Sequence, residues 1–273
     1  MNAGQAFVCA GVESMTRIPM GGFNPSPHPG LYGDYPEAYV GMGITAENLA
    51  KKYDLSRQEQ QEFAVSSHQK AAAARDGGKL SDEIVTIVDG NLRVEQDGCI
   101  RPETTTEGLD GLDPAFDQAG TVTAGTSSPL TDGAAAVLVC SEDYADAQGL
   151  EKLARIKSIA VSGCAPEIMG IGPVGATEKA LERAGIGLAD IDVIELNEAF
   201  AAQALAVIKE AGMDQQRINL DGGAIALGHP LGASGARITG KAAQLMKREG
   251  KSLALATQCI GGGQGIATVM EAC

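Results

Sequence analysis

Hydrophobic and polar positions follow a regular rhythm over the second half of the chain. Apolar runs predict strands at residues 154–161, 191–196, 218–220, 253–257 and 266–270, and amphipathic stretches predict helices at residues 173–184, 199–211 and 233–248. Gly185, Gly212 and Gly250 follow these three helices, as is typical of helix C-termini. The resulting βαβαβαββ order favours a layered α/β domain with a mostly parallel sheet.

The first half of the chain is less regular. Ser56 and Glu59 have capping-box spacing and open a predicted helix at residues 56–75. Short apolar runs on either side of Asp89-Gly90 indicate a hairpin. The other expectations are buried strands at residues 6–10 and 133–141, a long loop at 21–39, and the end of a helix at 1–4, which implies that elements precede it.

The candidate chemistry centres on a glycine-rich stretch, Gly222-Gly223-Ala224-Ile225-Ala226-Leu227-Gly228-His229-Pro230-Leu231-Gly232-Ala233-Ser234-Gly235-Ala236-Arg237. Pro230 disfavours helical backbone at His229, so we expect His229 on an extended turn ahead of a helix. Asn197 and Cys259 each follow an apolar run. Because ligands bind at the carboxyl ends of strands in open α/β sheets, the side chains of His229, Asn197 and Cys259 could converge on one site. The alternatives are a structural histidine, a helix N-cap at Asn197 and a small buried residue at Cys259.

Three motifs in this order resemble the C-terminal half of a thiolase: Asn197-Glu198-Ala199-Phe200, the glycine-rich stretch, and Cys259-Ile260-Gly261-Gly262-Gly263-Gln264-Gly265. Segments at 11–15, 43–48 and 123–128 also resemble this family, so the similarity covers nearly the whole chain. The resemblance implies a thiolase-like layered αβαβα fold. It assigns residues 146–273 to a complete C-terminal thiolase domain and 1–145 to an incomplete N-terminal domain with a loop and CoA-binding region.

The resemblance also implies a reaction. Thiolases cleave a 3-ketoacyl-CoA with free CoA through an acyl-cysteine intermediate, which requires a nucleophile, a proton shuttle and donors for developing oxyanions. His229 matches the histidine that activates the nucleophile, and Cys259 matches the acid/base that protonates the leaving carbanion. Asn197 matches the residue that holds a water in one oxyanion hole, and the Gly261 N–H matches a donor of the second.

The resemblance implies no metal or prosthetic group, with coenzyme A as a substrate. Ser128 matches a pantetheine contact, Arg101 a nucleotide-phosphate contact and Met42 a residue lining the acyl end. Their structural alternatives are a turn former, a surface charge and a core residue, respectively. A metal site built from His229, Cys259 and a carboxylate is a further alternative, but no ligand spacing supports it.

Composition narrows the class of protein and its partners. The chain has 273 residues, of which 44% are hydrophobic, so it can bury a large core. A net charge of −14 argues against nucleic acid or an anionic membrane as the main partner. The six scattered cysteines, with no signal peptide or membrane span apparent, indicate a cytoplasmic protein. The expected partners are CoA thioesters and further copies in a homodimer or homotetramer, with a β-oxidation multienzyme partner as an additional candidate.

The family's nucleophilic cysteine falls in a segment that this sequence does not match. Cys9 lies in an apolar strand and is expected to be buried and inert, so the 273-residue polypeptide alone is expected not to form the acyl-enzyme. Degradative thiolysis in fatty-acid β-oxidation is favoured over biosynthetic acetoacetyl-CoA formation. The remaining alternatives are a non-catalytic protein that binds CoA or another subunit, and a ketoacyl synthase, against which the Gly-His-Pro motif counts.

Overall fold

The computed structural model describes residues 4–273, so most of the helix end predicted at residues 1–4 lies outside it. The strands are β1 (Ala6–Ser14), β2 (Ile87–Asp89), β3 (Leu92–Val94), β4 (Asp132–Cys140), β5 (Arg155–Gly163), β6 (Val193–Leu196), β7 (Leu253–Ile260) and β8 (Gln264–Glu271). The α-helices are α1 (Pro29–Asp34), α2 (Met42–Tyr53), α3 (Arg57–Asp76), α4 (Thr106–Asp110), α5 (Glu142–Gln148), α6 (Gly172–Ala184), α7 (Ala201–Ala211), α8 (Ala224–Leu227) and α9 (Ser234–Glu249). Within residues 4–273, no helix combines the length and apolar character needed to cross a bilayer.

The C-terminal elements form a four-stranded sheet in the order β5-β8-β7-β6. The predicted mostly parallel sheet is wrong, because only β6 and β7 pair in parallel, whereas β8 is antiparallel to both β7 and β5. The strand predicted at residues 218–220 is reduced to a single parallel bridge between Ile218 and Ile194. The other predicted strands and helices of this half are confirmed, with ends shifted by up to three residues.

Helix α9 lies between two sheets. One side of it packs on β6 and β7 through Ile238, Leu245 and Met246, which share a core with Val193 and other strand residues. It also contacts β4 and β1, which form a separate antiparallel pair. Helices α6 and α7 share a second core with the four-stranded sheet, so the described chain forms successive layers of sheet, helix, sheet and helices.

The pair β1–β4 is much more exposed than the sequence predicts. Val8 is 74% exposed and Val12 is 73% exposed. Cys9, which was expected to be buried, is also exposed. The physical reason is that α9 covers this two-stranded sheet only in part. Most side chains of β1 are therefore exposed among the described residues. An apolar run therefore marks these strands correctly without determining their burial.

Three predictions from the first half can be compared with the structure. Helix α3 begins with the predicted capping box: Ser56 Oγ accepts from the Glu59 N–H, and Glu59 accepts from the Ser56 N–H at 2.7 Å. The hairpin β2–β3 is also confirmed. The loop at 21–39 instead contains α1 and a 3₁₀ turn, Pro36–Tyr39. His68, on α3, is buried and accepts from the Arg101 N–H.

Strand β1 approaches the segment before α9 at a glycine. A Cβ atom on Gly11 would overlap the backbone oxygen of Gly232, and the Gly232 N–H donates to Glu13 at 3.2 Å. Because this contact involves backbone, neither partner can move a flexible side chain aside. It therefore fixes the distance between β1 and the segment that bears His229.

We expect Gly11→Ala to lower the free energy of unfolding by about 1–3 kcal/mol through overpacking. Urea denaturation at neutral pH measures the change. The matched control is Gly33→Ala, because a Cβ atom at Gly33 meets no neighbouring atom within 4 Å. The close approach would be unimportant if both variants unfolded at the same urea concentration as the parent chain.

Candidate active site

His229 lies in the turn between α8 and α9. Gly228, with a φ of 97°, ends α8, and Pro230 follows the histidine. The backbone N–H of His229 donates to Thr131 Oγ1 at 3.2 Å, which ties the turn to the segment just before β4. The predicted position on a turn ahead of a helix is therefore confirmed.

Ser234, the first residue of α9, fixes the imidazole ring. Its Oγ lies 2.5 Å from His229 Nδ1 and donates to the Pro230 carbonyl oxygen at 3.2 Å. Since the hydroxyl has one proton to donate, we assign the ring proton to Nδ1, from which it is donated to Ser234. The other nitrogen, Nε2, then carries a lone pair and can act as a base.

Asn197 faces this lone pair. Its Nδ2 lies 3.3 Å from His229 Nε2, in a geometry suited to donation. The backbone N–H of Asn197 donates to the Thr257 carbonyl oxygen, so the residue extends the parallel pairing of β6 with β7. The alternative that Asn197 caps the following helix is wrong, because Phe200 occupies the N-cap position of α7. Asn197 Oδ1 is buried and has no hydrogen-bond partner among the described residues.

Cys259 and Gly261 lie at the same edge of the sheet. Cys259 is two residues beyond Thr257 on β7, and Gly261 follows the end of that strand. The turn into β8 requires positive φ at Gly262 and Gly263, 82° and 91°, which explains the glycine run. The carboxyl ends of β6 and β7 thus place Asn197 and Cys259 on neighbouring strands.

Burial has opposite effects on the two titratable groups. It lowers the pKa of His229 to about 4, and the positive charge of Arg237 acts in the same direction. Burial raises the pKa of Cys259 to about 12, and the proximity of Cys164 contributes to the increase. At neutral pH, His229 is therefore an unprotonated base and Cys259 a protonated acid.

Ser128 lies beside the Asn197 segment. Its N–H donates to the Ala199 carbonyl oxygen at 3.0 Å, and Ser127 forms a bridge with Phe200. Three residues further on, Thr131 accepts from the His229 N–H. The loop bearing Ser128 therefore borders both Asn197 and His229.

The structure does not connect Arg101 and Met42 to this cluster. Arg101 is exposed, and its N–H donates to His68 Nδ1 at 3.2 Å. Met42 is the first residue of α2 and is partly buried. Among residues 4–273, no group of three or more His, Cys, Asp or Glu side chains is arranged to hold a metal ion.

Sequence reasoning missed Ser234 and Thr131. Ser234 stands inside the glycine-rich stretch, but its contact with His229 depends on the turn made by Pro230. Thr131 lies 98 residues from His229 in sequence, and no local pattern connects the two.

Comparison with known proteins identifies relatives along the whole chain. Residues 1–143 match the model "Thiolase, N-terminal domain", and residues 150–272 match "Thiolase, C-terminal domain". The 3-ketoacyl-CoA thiolase of Idiomarina loihiensis is 53% identical over 98% of this chain, and that of Shewanella loihica is 54% identical over the same share. In both cases the match spans 71% of the relative.

Solved structures show the same fold. Human mitochondrial 3-ketoacyl-CoA thiolase aligns over 99% of this chain and 72% of its own, with 41% identity and a TM-score of 0.90. A structure of the human enzyme in complex with CoA aligns over 98% of this chain and 71% of its own, with 42% identity and a TM-score of 0.89.

The depressed pKa of His229 predicts a pH-dependent stability. An unfolded histidine has a pKa of about 6.5, so between that pH and about 4 the unfolded chain binds the proton more tightly. The free energy of unfolding should therefore fall as the pH drops through this window. In His229→Gln, the loss of stability between pH 7.5 and pH 5 should be smaller than in the parent by about 2 kcal/mol.

Urea denaturation at the two pH values measures this difference. His28→Gln removes an exposed histidine and should retain the pH dependence of the parent. Equal pH dependence in His229→Gln and the parent would contradict the burial of a neutral His229.

Proposed function

The chain belongs to the thiolase family, and on that premise we propose that it supplies the acid/base residues His229 and Cys259 for the thiolytic cleavage of 3-ketoacyl-CoA to acetyl-CoA and a shortened acyl-CoA. The observation that carries the proposal is the unprotonated Nε2 of His229 facing Asn197 at the sheet edge where β6 and β7 end. The names of the bacterial relatives favour the degradative, β-oxidation direction over acetoacetyl-CoA synthesis.

In the proposed reaction, a cysteine thiolate attacks the 3-keto carbon and the bond between C2 and C3 breaks. His229 Nε2 first accepts the thiol proton of that cysteine. The departing acetyl-CoA carbanion takes a proton from Cys259, whose high pKa keeps it protonated until a strong base arrives. Free CoA then gives its thiol proton to the Cys259 thiolate and attacks the acyl-cysteine carbonyl. The nucleophilic cysteine leaves as a thiolate and takes back the proton held by His229, which completes the transfer.

Two groups are proposed to stabilise negative charge on oxygen. Asn197 holds a water through Oδ1, which has no partner among the described residues, and this water donates to the thioester oxygen together with His229 Nε2 once Nε2 carries the thiol proton. The Gly261 N–H donates to the second oxyanion, beside an open face of the turn. Both groups lie at strand ends, where the backbone is fixed before substrate arrives.

We further propose that CoA lies along the loop bearing Ser128. Ser128 would contact pantetheine, Arg101 a nucleotide phosphate, and Met42 the acyl end. The border that this loop shares with Asn197 and His229 supports the Ser128 assignment. The exposure of Arg101 is compatible with a phosphate contact. Coenzyme A serves as a substrate, with no metal or prosthetic group.

We propose that none of the six cysteines of this sequence is the family's nucleophile, so that the 273-residue polypeptide alone does not form the acyl-enzyme. A cytoplasmic location and a homodimeric or homotetrameric assembly complete the proposal. The exposed apolar side chains of β1 favour a subunit contact. The second candidate function is therefore a non-catalytic role in which the polypeptide alone binds CoA or another subunit.

Incubation of the 273-residue chain with acetoacetyl-CoA should leave its intact mass unchanged, while isothermal titration should detect CoA binding. The Shewanella loihica enzyme is the positive control for acylation. An acylated cysteine with ordinary turnover would contradict the proposed inactivity, and absence of CoA binding would contradict the CoA assignment.

The roles of His229 and Cys259 can be measured in a hybrid protein. In this hybrid, here called the fused enzyme, the 273-residue chain is joined to the part of the Shewanella loihica enzyme that it does not match. His229→Ala and Cys259→Ser should each lower kcat for thiolysis by at least about 100-fold, because each removes a proton-transfer group. Cys164→Ser is the matched control and should retain most activity. Similar losses in Cys164→Ser and Cys259→Ser would argue against a specific role for Cys259.

A further inference from the structure

Glu198 is a buried carboxylate next to Asn197 that the proposed reaction does not use. It is 2% exposed and follows the end of β6. Burial of an ionisable group without partners is costly, so the contacts of Glu198 show what retains it. They reach three separate segments of the chain.

Three groups donate to this carboxylate. Asn219 Nδ2 donates to Oε1 at 2.7 Å, while Ser67 Oγ and the Ile225 N–H donate to Oε2 at 2.7 and 3.2 Å. Ser67 also accepts from the Gly223 N–H at 3.0 Å, so its own proton is available for Glu198. Burial raises the pKa of Glu198, and these hydrogen bonds oppose that increase.

One side of this network holds the segment that carries His229. The bonds to Ile225 and, through Ser67, to Gly223 fix the start of α8, which ends at Gly228 immediately before His229. Gly223 lies so close to the carboxylate that an added Cβ atom would overlap it. The carboxylate thus defines where the His229 segment begins.

The other side holds the end of β6. Asn219 donates to the Leu196 carbonyl oxygen at 2.8 Å and accepts from the Leu196 N–H at 2.9 Å, while its second amide proton goes to Glu198. Asn219 adopts a left-handed backbone with a φ of 46°, a conformation that non-glycine residues rarely adopt without compensating contacts. Leu196 directly precedes Asn197.

We propose that Glu198 is a positioning residue that sets the distance between His229 Nε2 and Asn197 Nδ2 by joining the α8 segment to the end of β6. The effect of Glu198 on catalysis rests on the proposed function, whereas its effect on the geometry of the site does not. Without the carboxylate, the α8 segment loses its anchor and the imidazole gains access to water.

The test is Glu198→Gln, which keeps side-chain volume and replaces one acceptor oxygen with an amide. The imidazole pKa values are measured in the 273-residue chain by NMR with labelled histidine, and the sequence has only three histidines. If the segment loosens, hydration should raise the pKa of His229 from about 4 by about one unit or more, towards 6.5.

A purely electrostatic effect has the opposite sign, because removal of a negative charge lowers the pKa of a nearby histidine or leaves it unchanged. Ser67→Ala should raise the pKa of His229 by a smaller amount and serves as the second variant if Glu198→Gln does not fold. The matched control is Glu62→Gln, an exposed position on the same helix as Ser67, which should leave the pKa of His229 unchanged.

In the fused enzyme, Glu198→Gln should lower kcat by about 10- to 100-fold with little change in KM, and Glu198→Asp should recover part of the loss. An unchanged pKa of His229 in both Glu198→Gln and Ser67→Ala would overturn the proposal, even if thermal stability fell. If the fused enzyme with Glu198 intact shows no thiolysis, while Glu198→Gln still raises the pKa of His229, the positioning role is supported and the proposed function is rejected.

Discussion

The packing of α9 against two sheets constrains the rest of the structure. One helix fills the space between β6 and β7 on one side and β4 and β1 on the other. Because its first residue also fixes the His229 ring, any shift of the helix would move the base of the candidate site. The close backbone approach of Gly11 and Gly232 limits such a shift at the end nearest the site.

The candidate site is consequently shared between both sheets. Asn197 and Cys259 extend from strands of the four-stranded sheet, whereas Thr131 belongs to the segment leading into β4 and holds the His229 backbone. Preorganisation of this kind places donors and a base before substrate binds, and it is the usual source of electrostatic stabilisation in enzymes. Burial between the layers also separates the pKa values of His229 and Cys259, so the acid and the base differ by environment.

Local patterns in the sequence were sufficient to predict α3, α6, α7, α9 and the edge of the sheet where the candidate site lies, but not α1, α2, α4, α5 or α8. The capping box at Ser56 and the glycines after the C-terminal helices depend on neighbouring residues only, and the structure confirms them. Strand direction and burial depend on distant partners, which explains the errors over the parallel sheet and over Cys9. The environment of Glu198 was missed for the same reason, since Ser67 lies 131 residues away.

The separation of β1 from β4 in sequence has a consequence for the order of folding. Strands β7 and β8 are joined by a short glycine turn, whereas β1 must find β4 after the long intervening segment has closed. Loop-closure entropy delays such non-local pairing, so we expect the β7–β8 hairpin to form before β1 docks. Since Glu13 lies in β1 and Thr131 directly precedes β4, the histidine turn would reach its competent geometry only after this late pairing.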